Sequence, residues 1–328
     1  MAMKVLVTGA SGFLGSHVAQ QFAADGHSVR LLLRKTSSRR FLSGFVYEIA
    51  LGDVSDPATL SSAVDGVDAV VHAAGLIKAR NEVEFHAVNA TGTANLVRAA
   101  EQSASVKRFA YVSSLAAHGP SPDGEPRPYD VPANPVSAYG RSKLAGENAV
   151  RQSDLAPRAV ILRPPVIYGP RDPALVPFFR LVRFRVAPLL MGGRNRISIV
   201  YAEDAAHAIV QATTAEAEVG GKVYSPEDGR VHTWRDLLGA IEEAVGRRAL
   251  RLSAPPWTFS AAALASEAFG FATRRAVSLT RDKVREMGQP YWVCSGENLR
   301  RDLGWAPLVD IREGARLTAN WYRQQHWI

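Results

Sequence analysis

The sequence predicts an α/β fold, a doubly wound parallel sheet with a smaller mixed α/β cap, on three observations. Short apolar runs alternate with helix-period stretches through the first two-thirds of the 328-residue chain. The runs are continuously apolar rather than alternating, as strands covered by helices on both faces must be. The first run then ends in three regularly spaced glycines, Gly9, Gly12 and Gly15, immediately before a helical stretch.

Taken in order, residues 4–9 (KVLVTG) read as a strand and 17–26 as its following helix. Residues 28–34 (SVRLLLR) and 45–53 (FVYEIALGD) are the next strands, then 57–66 a helix and 68–75 (DAVVHAAG) a strand. A long helix is predicted over 84–103, a strand over 108–114 (RFAYVSS), a helix over 137–153 and a strand then loop over 158–170. Such strand–helix alternation builds a doubly wound sheet of the Rossmann type. Residues 119–136, rich in Pro, Gly and Asp, read as a surface loop on the substrate side. Beyond residue 170 the pattern loosens. We therefore divide the chain into a dinucleotide-binding domain, 1–170, and a region that is mainly substrate cap, 171–328. Segments near 197–225 are expected to return to the main sheet, and the cap to lack a core of its own.

Composition narrows the class. Hydrophobic residues make up 47%, enough for a sizeable core. The net charge is +8, but the cations are scattered and form no basic stripe interleaved with aromatics. That argues for a phosphate-bearing small molecule and against nucleic acid. Cys294 is the only cysteine, so the chain can form no internal disulfide and no cysteine-based zinc site; no metal is expected. A start of Met-Ala-Met-Lys running straight into a strand lacks signal-peptide architecture, and a cytoplasmic location is the expectation. Residues 254–272 are strongly apolar but interrupted by Pro255, Pro256, Ser260, Ser266 and Glu267. They read as a cap or interfacial helix compatible with peripheral membrane contact, not as a membrane span.

In residues 8–15 (TGASGFLG) the first glycine turns the strand into a helix. The second lets backbone approach a pyrophosphate, and the third lets helix and strand pack closely. Ser11, Phe13 and Leu14 complete the loop, and the helix N-terminus that follows suits phosphate. The end of the second strand selects the dinucleotide. An acid there would favour NAD; here Arg34 and Lys35 suit the 2′-phosphate of NADP, with Arg39 or Arg40 assisting. A solvated strand end would look the same, so NAD stays an alternative. Asp53 and Val54 end a strand where adenine would lie. Ala73 and Ala74 are small enough to leave room for the cofactor. His72, His17, His86 and His207 are read as structural.

Moving a hydride at a carbinol carbon needs an acid or base for the oxygen. Tyr139 and Lys143 lie four apart on a predicted helix, hence on one face. A lysine ammonium there would lower the tyrosine pKa from about 10. A strand-end serine in YVSS (111–114) would hold the substrate oxygen.

These motifs, with GDV (52–54), HAAG (72–75), NATGT (89–93), YGRSK (139–143) and RPPVIYGP (163–170), span about half the chain. They resemble those of the extended short-chain dehydrogenase/reductases, the group of nucleotide-sugar epimerases and dehydratases, dihydroflavonol-type reductases and 3β-hydroxysteroid dehydrogenases. The resemblance implies Tyr139 as acid/base. Lys143 would lower the pKa of Tyr139 and bind the nicotinamide ribose. Ser114 would hold the substrate oxygen, with Ser113 the fallback. Asn89 would order the site, and Pro164 to Val166 would line the nicotinamide pocket. Arg34 matches the NADP-binding arginine of reductase-like members. Relatives often pair through their two long helices, which implies a possible homodimer. Two substrate classes remain open. A lipophilic secondary alcohol or ketone would suit the apolar cap segments 177–193 and 255–272. A nucleotide sugar with tightly held NAD would use Arg180, Arg183, Arg185, Arg194 and Arg196 for its diphosphate. A non-catalytic cofactor-binding module is the reading from another class.

Overall fold

The computed structural model describes residues 2–253 and 256–328. Its centre is a parallel sheet built from β1 (Lys4–Thr8), β2 (Ser28–Leu33), β3 (Glu48–Leu51), β4 (Ala69–His72), β5 (Arg108–Val112) and β6 (Ala159–Leu162), joined by the short strand Val223–Tyr224. The spatial order is Val223–Tyr224, β6, β5, β4, β1, β2, β3, a seven-stranded, doubly wound arrangement.

Side-chain alternation explains the continuous apolar runs. Val5, Val7, Leu31, Leu33 and Val71 face one core, whereas Leu6, Leu32 and Val70 face the other. Successive strand residues point to opposite faces, so both sets must be apolar. The first core is closed by Val18 and Phe22 of helix α1 (Phe13–Ala24) and by Ile209 of the helix Ala202–Thr214. The second is closed by Leu96 and Val97 of the helix Gly92–Gln102 and Val150 of the helix Ala138–Arg151. The edge strand β3 is mostly exposed and carries Glu48, paired with Lys4 and Arg30. Charge on an edge discourages further pairing.

Several expectations shift. The strand predicted over 45–53 shortens to Glu48–Leu51. The predicted helix over 57–66 splits into a 3₁₀ turn, Pro57–Thr59, and a short helix, Leu60–Val64. The helix predicted over 84–103 is interrupted by a π-helical turn, Ala87–Thr91, between Glu82–His86 and Gly92–Gln102. Of the segments near 197–225, only Val223–Tyr224 joins the main sheet. Ile199–Tyr201 pairs instead with Val166–Tyr168, and Arg196–Ile197 with strands at 232–233 and 291–292. The cap also has its own apolar cluster, in which Phe179, Val182, Leu237, Ile241 and Tyr322 are all buried. The apolar helix expected near 254–272 forms as Pro256–Thr273, with Ala254 and Pro255 lying outside the described residues. Among the described residues no helix is long and apolar enough to cross a membrane.

Candidate active site

The carboxyl ends of β1, β2, β4, β5 and β6 open into one cleft of about 1080 Å³ that continues under the cap. Ligands of open α/β sheets bind at this edge. The glycine loop forms its floor, and its three glycines serve different ends. Gly9 adopts φ +75°, and a Cβ on it would come within 2.7 Å of the Ala73 and Ala74 backbone at the end of β4. A Cβ on Gly15 would overlap the Gly9 carbonyl. At Gly12 the protein leaves more room, the Gly9 carbonyl at 3.2 Å being the single neighbour within reach. The first and third glycines therefore serve protein packing, while the second lies open to the cleft. No side chain caps the start of α1, so its first-turn N–H groups are left for an anion. Thr8 ties the loop to β4, accepting from Ala74 N at 3.1 Å and bonding His72 Nδ1 at 2.8 Å. These residues fit a dinucleotide pyrophosphate.

The helix Ala138–Arg151 starts at Ser137, whose side chain accepts from Gly140 N at 3.1 Å. It turns Tyr139 and Lys143 into the cleft. Opposite, β5 ends at Val112, and Ser114 caps the short helix Leu115–His118 by accepting from Ala116 N at 3.2 Å. The Ser114 hydroxyl also lies close enough to the Tyr139 phenol to act on its pKa. Ser113 is committed elsewhere, donating to buried Glu147 at 2.6 Å. Both serines line the cleft, but Ser113 is committed to Glu147, and Ser114 is the one whose hydroxyl acts on Tyr139.

The electrostatics depart from expectation at one point. Burial pushes the Tyr139 phenol up to about 12, with the Ser114 hydroxyl opposing and Glu286 adding to the rise. Lys143 is not among the groups that move it here. Burial draws Lys143 itself down to about 7. Its Nζ donates to Val112 O at 2.7 Å and lies 4.2 Å from the Tyr111 ring centroid. Desolvation is the largest cause at both groups, and at Lys143 it outweighs the opposing charge of Glu147.

Every cofactor and catalytic residue singled out from sequence lines the cleft except Lys35, Arg39 and Asn89. Lys35 is exposed at the turn in which Ser37 N bonds Arg34 O, so the two neighbouring cations diverge. Asn89 acts one layer back, in the π-helical turn. It accepts from Leu76 N at 2.7 Å and donates to Leu76 O and Ser142 Oγ, both at 2.9 Å. It thereby ties the β4 loop to the helix of Tyr139. Arg34 reaches the cleft 3.8 Å from Asp53. Arg40 lines the cleft and Arg39 does not. His72 is buried and held by Thr8 and Thr93, its pKa driven down to about 3 by burial. Burial likewise lowers His17 to about 4, with Pro170 O as its partner.

Sequence reasoning missed Arg171, which lines the cleft and donates to Ser16 and Gln20 of α1 at 3.1 and 2.7 Å. It also missed Phe41, over which Arg40 stacks at 4.3 Å. The substrate end is walled by Phe178, Trp234, Phe259, Leu279, Met287 and Trp292. Arg180, Arg183, Arg185, Arg194 and Arg196 do not line it, and Arg180 bonds Trp327 O at 2.8 Å instead. Nor do residues of the loop 119–136, where Arg127 holds the carbonyls of His118 and Pro132.

A glycine-floored cleft at a parallel sheet edge, with serine, tyrosine and lysine above it, defines an enzyme of the extended short-chain dehydrogenase/reductase class. The chain belongs to the NAD dependent epimerase/dehydratase family, which matches residues 5–225. It is 33% identical to a ceramide reductase of Caulobacter vibrioides, over 99% of this chain and 96% of that one. It is 32% identical to a 2-alkyl-3-oxoalkanoate reductase of Stenotrophomonas maltophilia, covering 96% and 98%. Among solved structures, the Thermus thermophilus UDP-glucose 4-epimerase in complex with NAD superposes with a TM-score of 0.77 at 27% identity, covering 98% and 99%.

Proposed function

We propose that this enzyme interconverts a lipophilic ketone and its secondary alcohol, with NADP as the preferred cofactor and residues 171–328 as the main substrate-binding region. When bound, the nicotinamide supplies or accepts the hydride. Tyr139 carries the proton that the substrate oxygen gains on reduction. With its pKa near 12 it is protonated at neutral pH, the form a general acid needs. Ser114, beside the Tyr139 phenol, holds the same oxygen and fixes its position. Lys143 keeps a cation or donor at the floor of the site, anchored by Val112 O.

The observation that carries this reading is the junction of that triad with an apolar substrate end. The cation described there, Lys283, is already paired with Glu286 at 2.5 Å. A nucleotide diphosphate would need several free cations, and the five arginines expected for one lie outside the cleft. The reductases among the relatives support the same class. NADP is favoured because Arg34 and Arg40 both reach the cleft beyond β2.

The test is Tyr139→Phe, assayed with NADPH against long-chain 3-oxo esters and N-acyl amino ketones. Turnover should fall by about 10²–10⁴ while NADPH affinity is retained. Equal loss of both would remove Tyr139 from its assigned role. Exclusive turnover of nucleotide sugars by the wild type would replace the substrate class.

A further inference from the structure

The helix Pro256–Thr273 is nearly uncharged. Its one charged side chain, Glu267, is half-buried and accepts from Arg281 Nε and N, both at 2.8 Å, so it is neutralised at the surface. Ala263 is fully buried, and Phe259 lines the substrate end of the cleft. Trp257, Leu264 and Phe271, seven residues apart and so on one face, are exposed by 70, 56 and 89%, and Phe269, to one side of them, by 61%. A helix on the surface of a water-soluble domain shows the opposite pattern. Apolar exposure this dense marks a binding face. Leu250 and Leu252, on the strand that precedes the helix in sequence, are exposed as well, and that strand's backbone bonds Arg185 beside exposed Phe184.

We propose that this face docks on an anionic lipid bilayer. Charge selects that occupant. Exposed Arg274 and Arg275 follow the helix, and exposed Arg183 and Arg185 flank Phe184. An apolar surface bordered by arginines fits the boundary between acyl chains and acidic head groups. A second copy of the chain would bring the same arginines against each other across a two-fold axis. Aromatic side chains settle at that depth, and the helix lies in the interface instead of crossing it. Phe259 on the inner side of the same helix makes the docked face the outer wall of the cleft, so an apolar substrate would pass from bilayer to site without crossing water. This goes beyond the proposed reaction.

The experiment is co-sedimentation of the full chain with phosphatidylcholine vesicles, with and without phosphatidylglycerol. Binding should require the anionic lipid and weaken with salt. Arg274→Ser/Arg275→Ser should reduce partitioning about 30-fold, and Trp257→Ser/Phe271→Ser by at least about tenfold. Retained NADPH affinity shows that the variants are folded. Failure of the wild type to bind anionic vesicles overturns the proposal. So does equal binding by wild type and both variants, or a self-association in light scattering that the variants abolish without vesicle binding. No substrate enters this assay, so its outcome is independent of which ketone the enzyme takes.

Discussion

Glu147 and Arg163 form a bidentate ion pair inside the protein, with Nε to Oε1 at 2.9 Å and Nη2 to Oε2 at 2.7 Å. Glu147 has no exposure and Arg163 has 3%. The pair joins the helix of Tyr139 and Lys143 to the end of β6 and takes the Ser113 hydroxyl as a third member. Removing one partner strands a buried charge. Glu147→Gln should therefore cost about 3–5 kcal/mol of stability, read as a lowered urea midpoint. A change below about 1 kcal/mol would mean that the pair behaves as though it were in water.

The glycine loop separates folding from binding. Gly15→Ala would drive a methyl into the Gly9 carbonyl, so stability should fall by about 1–3 kcal/mol. Gly12→Ala meets a single atom at 3.2 Å and should melt close to the wild type. Its methyl faces the cleft, and dinucleotide affinity should drop by at least about tenfold. Calorimetry and cofactor titration on both variants would check this. Equal melting losses would contradict the division of labour.

Arg34 sets the cofactor preference in our reading. Arg34→Asp should weaken NADPH by about 10–100-fold, the loss of a charge-assisted contact, and should leave NADH nearly unchanged. Direct titration of both cofactors decides it. A parallel loss would show that the arginine does not contact the 2′-phosphate.

Lys143 makes stability depend on pH. Burial lowers its folded pKa to about 7 from an ordinary 10.5, so between these values the unfolded chain binds more protons. Stability therefore rises with pH across that window. The penalty for burying the ammonium is complete below about 7 and fades towards 10.5. The gap in urea midpoint between the wild type and Lys143→Met should shift in favour of the wild type from pH 7 to pH 9.5. A gap independent of pH would mean that Lys143 keeps its charge in the fold.

Much of this was legible in the sequence, for identifiable reasons. The β1 run, the glycine spacing and the four-residue step from Tyr139 to Lys143 are local, and local geometry follows from spacing. Arg171 was hidden because its approach to α1 depends on a turn more than 150 residues away from Ser16. The break at Ala87–Thr91 was hidden because Asn89 bonds the β4 loop, a tertiary contact that periodicity cannot report. The shift of Tyr139 was misjudged because charge pairing is visible in a sequence and desolvation is not.

The sheet also carries a message about order in time. Its outer strand, Val223–Tyr224, and the helix Ala202–Thr214 come from the second half of the chain, and Leu299 and Trp305 close the same core. A nascent chain emerges from its amino end. The glycine loop and the Tyr139 helix are therefore made long before the pieces that seal them in. Until Val223–Tyr224 leaves the ribosome, β6 stands as an open edge, and until Trp305 follows, one face of the sheet is not fully covered. The enzyme's most vulnerable stretch of synthesis thus lasts until residue 305 has emerged, with part of its core exposed to water until then.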